Sequence, residues 1–258
     1  MRVNYGAIFQ EKSKDKSMSG KVNIPSDRSL WPPAWKEVYY KVYDRFPVID
    51  LPKPEPIKYD QSLFEKRRSC RDFKQLPIDK KSLSNILYYA AGEVKLKVTK
   101  DKNVNVSDAK RMQASAGGRY PIELYILNFI KGDLEKGVYH YNVKDHKLEY
   151  LWCIESASVY MINTWANDVA MVIVATAIPS RSVMKYGERA YKYIYMEAGA
   201  ILQNIQMNAL LNGIDSAING GTNEIAIEEL LDIDGVDETV ILSIAMGHSK
   251  YKKTYENI

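Results

Sequence analysis

From about residue 60 onward, the apolar positions follow helical and strand-like periods in turn. Leu83, Ile86, Leu87 and Ala90 share one face of a helix that Asp79 is placed to cap and Gly92 to stop. Residues 124–129, 137–141 and 148–152 read as short strands, the last two forming a hairpin across Asn142–Lys147. Val169–Ala177 and Val240–Met246 are near-continuous apolar runs, as expected of strands covered on both faces. Between them, Tyr191, Ile194, Ala198, Ile201, Leu202, Ile205 and Ala209 keep a helical stripe until Gly213. At 1.5 Å per residue this helix is roughly 30–35 Å long, enough to cross a domain. The pattern is that of an α+β domain, with no internal repeat or low-complexity tract.

The segment before residue 59 behaves differently. Pro25, Pro32, Pro33, Pro47, Pro52, Pro54 and Pro56 crowd into it, and proline excludes much helix or central strand. Trp31, Trp35 and several tyrosines lie among them, and a solvated linker has little use for such rings. Residues 1–58 therefore read as an extended arm lying on the body, and 59–258 as the folded domain. The first twenty-odd residues, with Lys12, Lys14, Lys16 and Lys21, are expected to fray.

Composition narrows the classes of function. The chain has 258 residues, 46% hydrophobic and 26% charged, the balance of an ordinary folded protein. Its net charge of +4 is mild and spread along the chain, which suits a binder of small anions better than a nucleic-acid protein. Cys70 and Cys153 cannot make a disulfide scaffold, and no CxxC or CxxH spacing suggests a metal site. No run reaches the 18 apolar residues of a membrane span, and no apolar h-region follows the N-terminus. A cytoplasmic protein with no membrane partner is expected. The 19 tyrosines hint at large interfaces.

Common catalytic signatures are missing: there is no GxGxxG, GxxxxGK[ST], HExxH or GxSxG. His140, His146 and His248 are too few and scattered for a triad, and surface or core roles suit them better. Asp232, Asp234 and Asp237 surround Gly235 in the manner of an Asp-Gly turn rather than a calcium loop.

What remains is basic and glycine-rich. Arg67, Arg68, Ser69 and Arg71 place three guanidiniums and a hydroxyl within five residues. Ser115-Ala116-Gly117-Gly118 precedes Arg119-Tyr120-Pro121, and Asn219-Gly220-Gly221-Thr222 follows a strand-like stretch. Guanidinium forks match phosphate oxygens, and glycine pairs let backbone N–H groups approach a flat ligand. Taken singly, the same segments are also what a solvated helix face and ordinary turns look like.

Together and in this order they resemble the nitroreductase superfamily of FMN enzymes, and more narrowly its SagB-type (azoline) dehydrogenase branch. The likeness includes the Gly137-Val138-Tyr139-His140-Tyr141 hairpin, the Lys185-Tyr186-Gly187-Glu188-Arg189 segment, and Glu197-Ala198-Gly199 with Gln203-Asn204 on the long helix. Ala114 and Arg119 depart from the proline and leucine usual in the family. The resemblance implies a nitroreductase-like fold with a central, mostly antiparallel sheet flanked by helices, assembled as a homodimer with FMN at the interface. Arg67, Arg68 and Ser69 would hold the phosphate and ribityl chain, with Lys250 as a late basic contact. Arg71 would face the N1/O2 edge of the flavin, where a fixed cation eases reduction. Ser115, Ala116, Gly117 and Gly118 would reach the flavin from the partner subunit, and Asn219, Gly220 and Gly221 would present N–H groups near N5/O4.

Lys185 and Tyr186 would be catalytic, the lysine acting as base with its pKa lowered by Arg181 and Arg189. The plain alternative is a solvated basic loop. Three functions stay open on the sequence. The first is oxidation of azoline rings in a modified peptide, with a cyclodehydratase complex as partner. The second is an NAD(P)H-dependent nitro or quinone reductase acting on small aromatic or heterocyclic substrates. The third is a non-catalytic flavin-binding or peptide-binding protein.

Overall fold

The computed structural model describes residues 4–14, 24–58, 62–95 and 109–251. The uninterrupted apolar run is strand β8 (Met171–Ala177), buried along its whole length. Met171, Ile173, Ala175 and Ala177 point into one core cluster and Val172 and Val174 into another. A strand buried on both faces belongs inside a sheet, and β8 lies between β5 (Ile122–Asn128) and β10 (Thr239–Ser249), antiparallel to both.

Beyond β5 come β6 (Gly137–Asn142), β7 (Lys147–Trp152) and the edge strand β1 (Val48–Asp50). β10 also pairs with β9 (Asp215–Asn219) and, at its end, with β2 (Phe73–Lys74). Every ladder of this eight-stranded sheet is antiparallel. A separate ribbon joins β3 (Glu93–Lys95) to β4 (Ala109–Arg111).

Helices α7 (Ala190–Leu211) and α4 (Lys80–Ala91) cover one face of the sheet. Asp79 caps α4 as its position predicts, accepting the Ser82 N–H at 2.8 Å. Leu83, Ile86, Leu87 and Ala90 are fully buried, and truncating such a leucine costs about 2–5 kcal/mol. Gly92 ends α4 without a left-handed turn: a Cβ there would sit 2.6 Å from the Tyr88 carbonyl oxygen. α7 runs 22 residues on its apolar stripe, about 33 Å, and Gly213 follows it at φ +72°. The short α5 (Ala157–Tyr160) and α8 (Glu224–Leu231) cover the other face. No described helix is long and apolar enough to cross a membrane.

The sequence reading misplaces some ends. β5 begins at Ile122, two residues early, and β8 begins at Met171 rather than Val169. The Ala170 N–H and C=O still bond Met246 and Phe129, but outside the ladder. The N-terminal stretch expected to fray contains helix α1 (Tyr5–Lys12), which Asn4 caps by accepting the Ala7 N–H at 3.0 Å. It buries no side chain fully, and beyond the cap it touches the body through the edge-on contact of Phe9 with Tyr195 of α7, ring centroids 6.4 Å apart. Lys12 closes α1 and Lys14 pairs with Glu11, while Lys16 and Lys21 lie outside the described residues.

The proline-rich segment carries one turn of helix, α2 (Pro33–Lys36), and the edge strand β1. The Asp234 side chain accepts the N–H groups of Val236, Asp237 and Glu238, which closes the Asp-Gly turn. His146 bonds Tyr141 and Ser84, and His248 reaches the Pro77 carbonyl.

His140 is enclosed in the core. Its Nδ1 lies 2.8 Å from Glu149 and its Nε2 3.3 Å from Glu123, whose other oxygen accepts from Arg181. Burial opposes each charge, but the bonds between them prevail: Glu123 falls to about 2, Glu149 is lowered and His140 is raised.

Candidate active site

Lys185 lies in the last turn of α6 (Ser180–Tyr186), which stops at Gly187 in a positive-φ conformation. The lysine is 1% exposed, and its Nζ has no hydrogen-bond partner among the described residues. The Trp31 ring centroid lies 3.2 Å from Nζ, with Trp35 at 5.7 Å and the Tyr186 ring at 5.3 Å. Burial, reinforced by the guanidiniums of Arg119 and Arg28, brings its pKa down to about 8. This corrects the sequence reading, which assigned the crowding to Arg181 and Arg189. Arg181 is bound to Glu123 and the Tyr120 carbonyl, and Arg189 to the Tyr193 hydroxyl. Arg119, a departure from the family pattern, is fully buried and donates to the carbonyls of Arg181 and Glu37.

The glycine-rich segment packs against this lysine. The Ser115 carbonyl accepts the Gly118 N–H at 3.0 Å and its Oγ accepts the Tyr120 N–H at 2.9 Å, folding the loop back on itself. Gly117 stands at φ +62°, where a Cβ would overlap the Tyr186 hydroxyl and lie 2.7 Å from Lys185 Nζ. Both backbone and space therefore demand glycine. Tyr120, at φ +48°, is strained for a bulky residue; its hydroxyl accepts the Arg111 N–H and its ring lies under the Arg111 guanidinium. Behind the loop, Glu197 of α7 bonds Ser115 and Gln113, yet its burial outweighs them and raises its pKa to about 7.

The arginine cluster occupies another place. It follows α3 (Ser62–Lys66), and the Cys70 N–H bonds the Ser216 carbonyl at 3.0 Å, tying it to β9. Arg67 and Arg68 line a recess with Gln206, Leu210, Ile214, Asp215 and Ser216. Among the described residues the Arg67 guanidinium reaches only Gln206 Oε1, at 3.4 Å, while Arg68 bonds the carbonyls of Glu65 and Arg67. Gln206 Nε2 is buried without a partner among the described residues. Ser69 is exposed beside the recess. Arg71 is also exposed and lies 5.7 Å from the Trp165 ring centroid. Lys250 pairs with Asp168 at 2.9 Å and does not line the recess.

Asn219 closes its own turn, its side-chain oxygen accepting from Asn163 at 2.8 Å and from the Gly221 N–H at 2.9 Å. The Gly221 N–H is thereby engaged. A Cβ on Gly221 would overlap Asn163, whereas Gly220 faces open space. The predicted residues thus form one group at Lys185, Tyr186 and Ser115–Gly118 and a second at Arg67 and Arg68, with Arg71 and Asn219–Gly221 apart from both. Glu197 and Gln206, which mark the two groups on α7, are about 14 Å apart along its axis.

Residues 64–248 match the sequence profile of the nitroreductase family. The chain belongs to the nitroreductase family. It is 29% identical over 189 residues to a nitroreductase relative from Methanocaldococcus jannaschii, covering 72% of this chain and 89% of that one. It is 25% identical over 234 residues to the trifolitoxin-processing protein TfxB of Rhizobium leguminosarum bv. trifolii, covering 83% of this chain but only 60% of TfxB. Among solved structures, a nitroreductase relative from Anabaena variabilis superimposes with a TM-score of 0.70 at 22% identity, over 95% of this chain and 46% of that one. The E. coli microcin synthetase McbBCD complex, with truncated pro-MccB17 bound, contains a chain of the same fold at TM-score 0.58 and 16% identity, covering 96% of this chain and 92% of that one.

Nitroreductase-family proteins are generally FMN-dependent oxidoreductases. The donor set of the recess suits such a cofactor: two guanidiniums without carboxylate partners among the described residues, and an orphaned amide N–H, are what a phosphate satisfies. Sequence reasoning missed Gln206, Asn163, Trp165 and Arg28, whose roles arise from tertiary approach and leave no local signal. It saw Trp31 as an arm aromatic and Glu197 as part of a helix pattern, without placing either at the site.

Proposed function

We propose that this nitroreductase-family chain is a SagB-type dehydrogenase, using FMN to oxidise azoline rings in a modified peptide to azoles. The observation that carries this reading is Lys185: a buried amine with no acceptor among the described residues, a pKa of about 8, and the Tyr186 hydroxyl and Gly117 beside it. At pH 7 about a tenth of such a lysine is neutral, against fewer than one in a thousand at the ordinary value. Similarity to a trifolitoxin-processing protein and to a chain of a microcin synthetase complex supports a peptide substrate and synthetase partners; a cyclodehydratase is the partner this reading expects.

Arg67, Arg68, Ser69 and Gln206 would hold the FMN phosphate, and Arg71 the electron-rich edge of the ring. Ser115–Gly118 and Asn219–Gly221 would pack against the ring itself. FMN, when bound, supplies the acceptor for the hydride that leaves the ring carbon next to Cα. Lys185 Nζ takes the Cα proton, so the azoline loses one proton and one hydride and gains a double bond. Tyr186, whose pKa is raised by burial and by Tyr193, stays protonated and can donate to the ring heteroatom. The reading includes a homodimer, in which one chain's glycine loop would complete the flavin site of the other.

The test is anaerobic mixing of FMN-loaded protein with a thiazoline peptide. The flavin absorbance should bleach as the peptide loses two hydrogens by mass, faster as pH rises through about 8. Lys185→Ala should keep its FMN and slow this step by about 10²–10⁴-fold. Quinone reduction from NAD(P)H by wild type and variant alike, without azoline oxidation, would instead establish the reductase reading.

A further inference from the structure

Lys185 cannot meet a substrate in the arrangement seen. Its 1% exposure is that of one chain alone, and a second chain or a cofactor can only cover it further. Beside the glycine loop and the Tyr186 ring, what lies directly over Nζ is the Trp31 indole, a flat ring face-on to the amine. We propose that the space held by this indole is the subsite for the substrate's five-membered ring, and that residues 25–36 plug it until a peptide displaces them. This rests on Lys185 being the base.

The arm is held unevenly, which is what a displaceable plug requires. From Glu37 onward it is fastened by charged or buried groups. Arg119 donates to the Glu37 carbonyl, Arg111 to that of Tyr39, Tyr40 bonds Glu93, and Lys41 pairs with Glu238. Before Glu37, one hydrogen bond reaches the body among the described residues, from Trp35 Nε1 to the Met184 carbonyl at 3.2 Å. Trp31 Nε1 bonds Pro25 within the arm, and the Arg28 guanidinium lies over the indole itself.

Neither the 28–30 turn nor α2 buries a side chain, and Leu30 is 68% exposed. The segment can therefore swing about residue 37 without opening the core. A flat azoline with its flanking peptide planes fills a volume like that of the fused indole, and stacks on the same amine beside the Tyr186 hydroxyl.

Two measurements test this. The first is labelling of Lys185 at pH 8 by a small amine reagent, followed by mass spectrometry of the peptides, which needs neither FMN nor turnover. Wild type should label slowly, Trp31→Ala about tenfold faster, and Trp31→Phe in between. The second is the KM for a thiazoline peptide, which should fall several-fold in Trp31→Ala, because the docked arm no longer competes; the gain belongs in KM rather than kcat. Unchanged labelling, or a raised KM with faster labelling, would overturn the plug. Loss of turnover in Lys185→Ala beside an unchanged KM in Trp31→Ala would overturn the plug alone. Full turnover in Lys185→Ala would overturn the base, and the subsite with it.

Discussion

His140 lies between two carboxylates, Glu149 at 2.8 Å and Glu123 at 3.3 Å, and a guanidinium completes the cluster. Lys185, buried to the same degree, has no acceptor among the described residues, and two guanidiniums rather than carboxylates act on it. A buried charge needs a partner or gives up its proton. At His140 the fold supplies the partners, and the carboxylates raise the ring's affinity for its proton. At Lys185 it supplies aromatic faces and no such partner, and the proton is held more weakly, with a pKa brought down to about 8. The difference separates a charge that holds strands β5, β6 and β7 together from one left available for chemistry.

The contrast can be broken most sharply at Glu123. Glu123→Ala leaves Arg181 and His140 facing a void, and removing one partner of a buried pair costs about 3–5 kcal/mol. Thermal melting should show a fall of roughly 10 °C for a domain of this size. A shift below about 2 °C would mean that the cluster is not structural.

Lys185→Met should do the opposite, raising the melting temperature by about 2–4 °C, since it removes an unpaired buried amine. The pH dependence sharpens this. Lys185 binds its proton more weakly in the folded chain, about 8 against 10.5, so its cost is full below pH 8 and is relieved as pH rises to 10.5. Wild type should gain stability across that window and Lys185→Met should not. Glu123 works at the other end: its contribution is present above about 4.5 and is lost as pH falls toward 2.

Glu197 is an intermediate case, a buried carboxyl with polar but uncharged hydrogen-bond partners. Its folded pKa of about 7 exceeds the ordinary 4.5, so stability falls as pH rises between the two. Glu197→Gln should flatten that part of the melting curve; a slope equal to wild type would place the titration elsewhere.

The smallest effect is expected at exposed Arg71. Arg71→Ala should retain FMN and lower its reduction potential slightly, by an amount equivalent to about 1 kcal/mol or less at an exposed site. Spectroelectrochemistry giving an identical potential would remove Arg71 from the flavin edge.

Much of this was legible in the chain. Periodicity places α4, α7, β8 and the β6–β7 hairpin, because local spacing is set by the same burial that forms the core. The family resemblance, rather than composition, selects Lys185, Tyr186 and Ser115–Gly118, and the fold packs these together. The causes of the lysine's state were not legible. Arg181 and Arg189 are close in sequence but are engaged elsewhere, while Arg28 and Arg119 act from 157 and 66 positions away. Residue spacing cannot show which guanidinium is already bound to a carboxylate.

Strand β10 carries a consequence for how the molecule is made. It pairs with β8 on one side and β9 on the other, joining Met246 to Met171 and Ser249 to Phe73. During synthesis, at about 5–20 residues per second, β8 is complete some seventy residues before its partner. For several seconds on the ribosome, a long apolar strand has an open edge, which is a template for pairing with another chain. Such distant closure also slows folding. A polysome translating this message is therefore where the protein is most exposed to aggregation, and slowing elongation between codons 178 and 239 should lower its soluble yield.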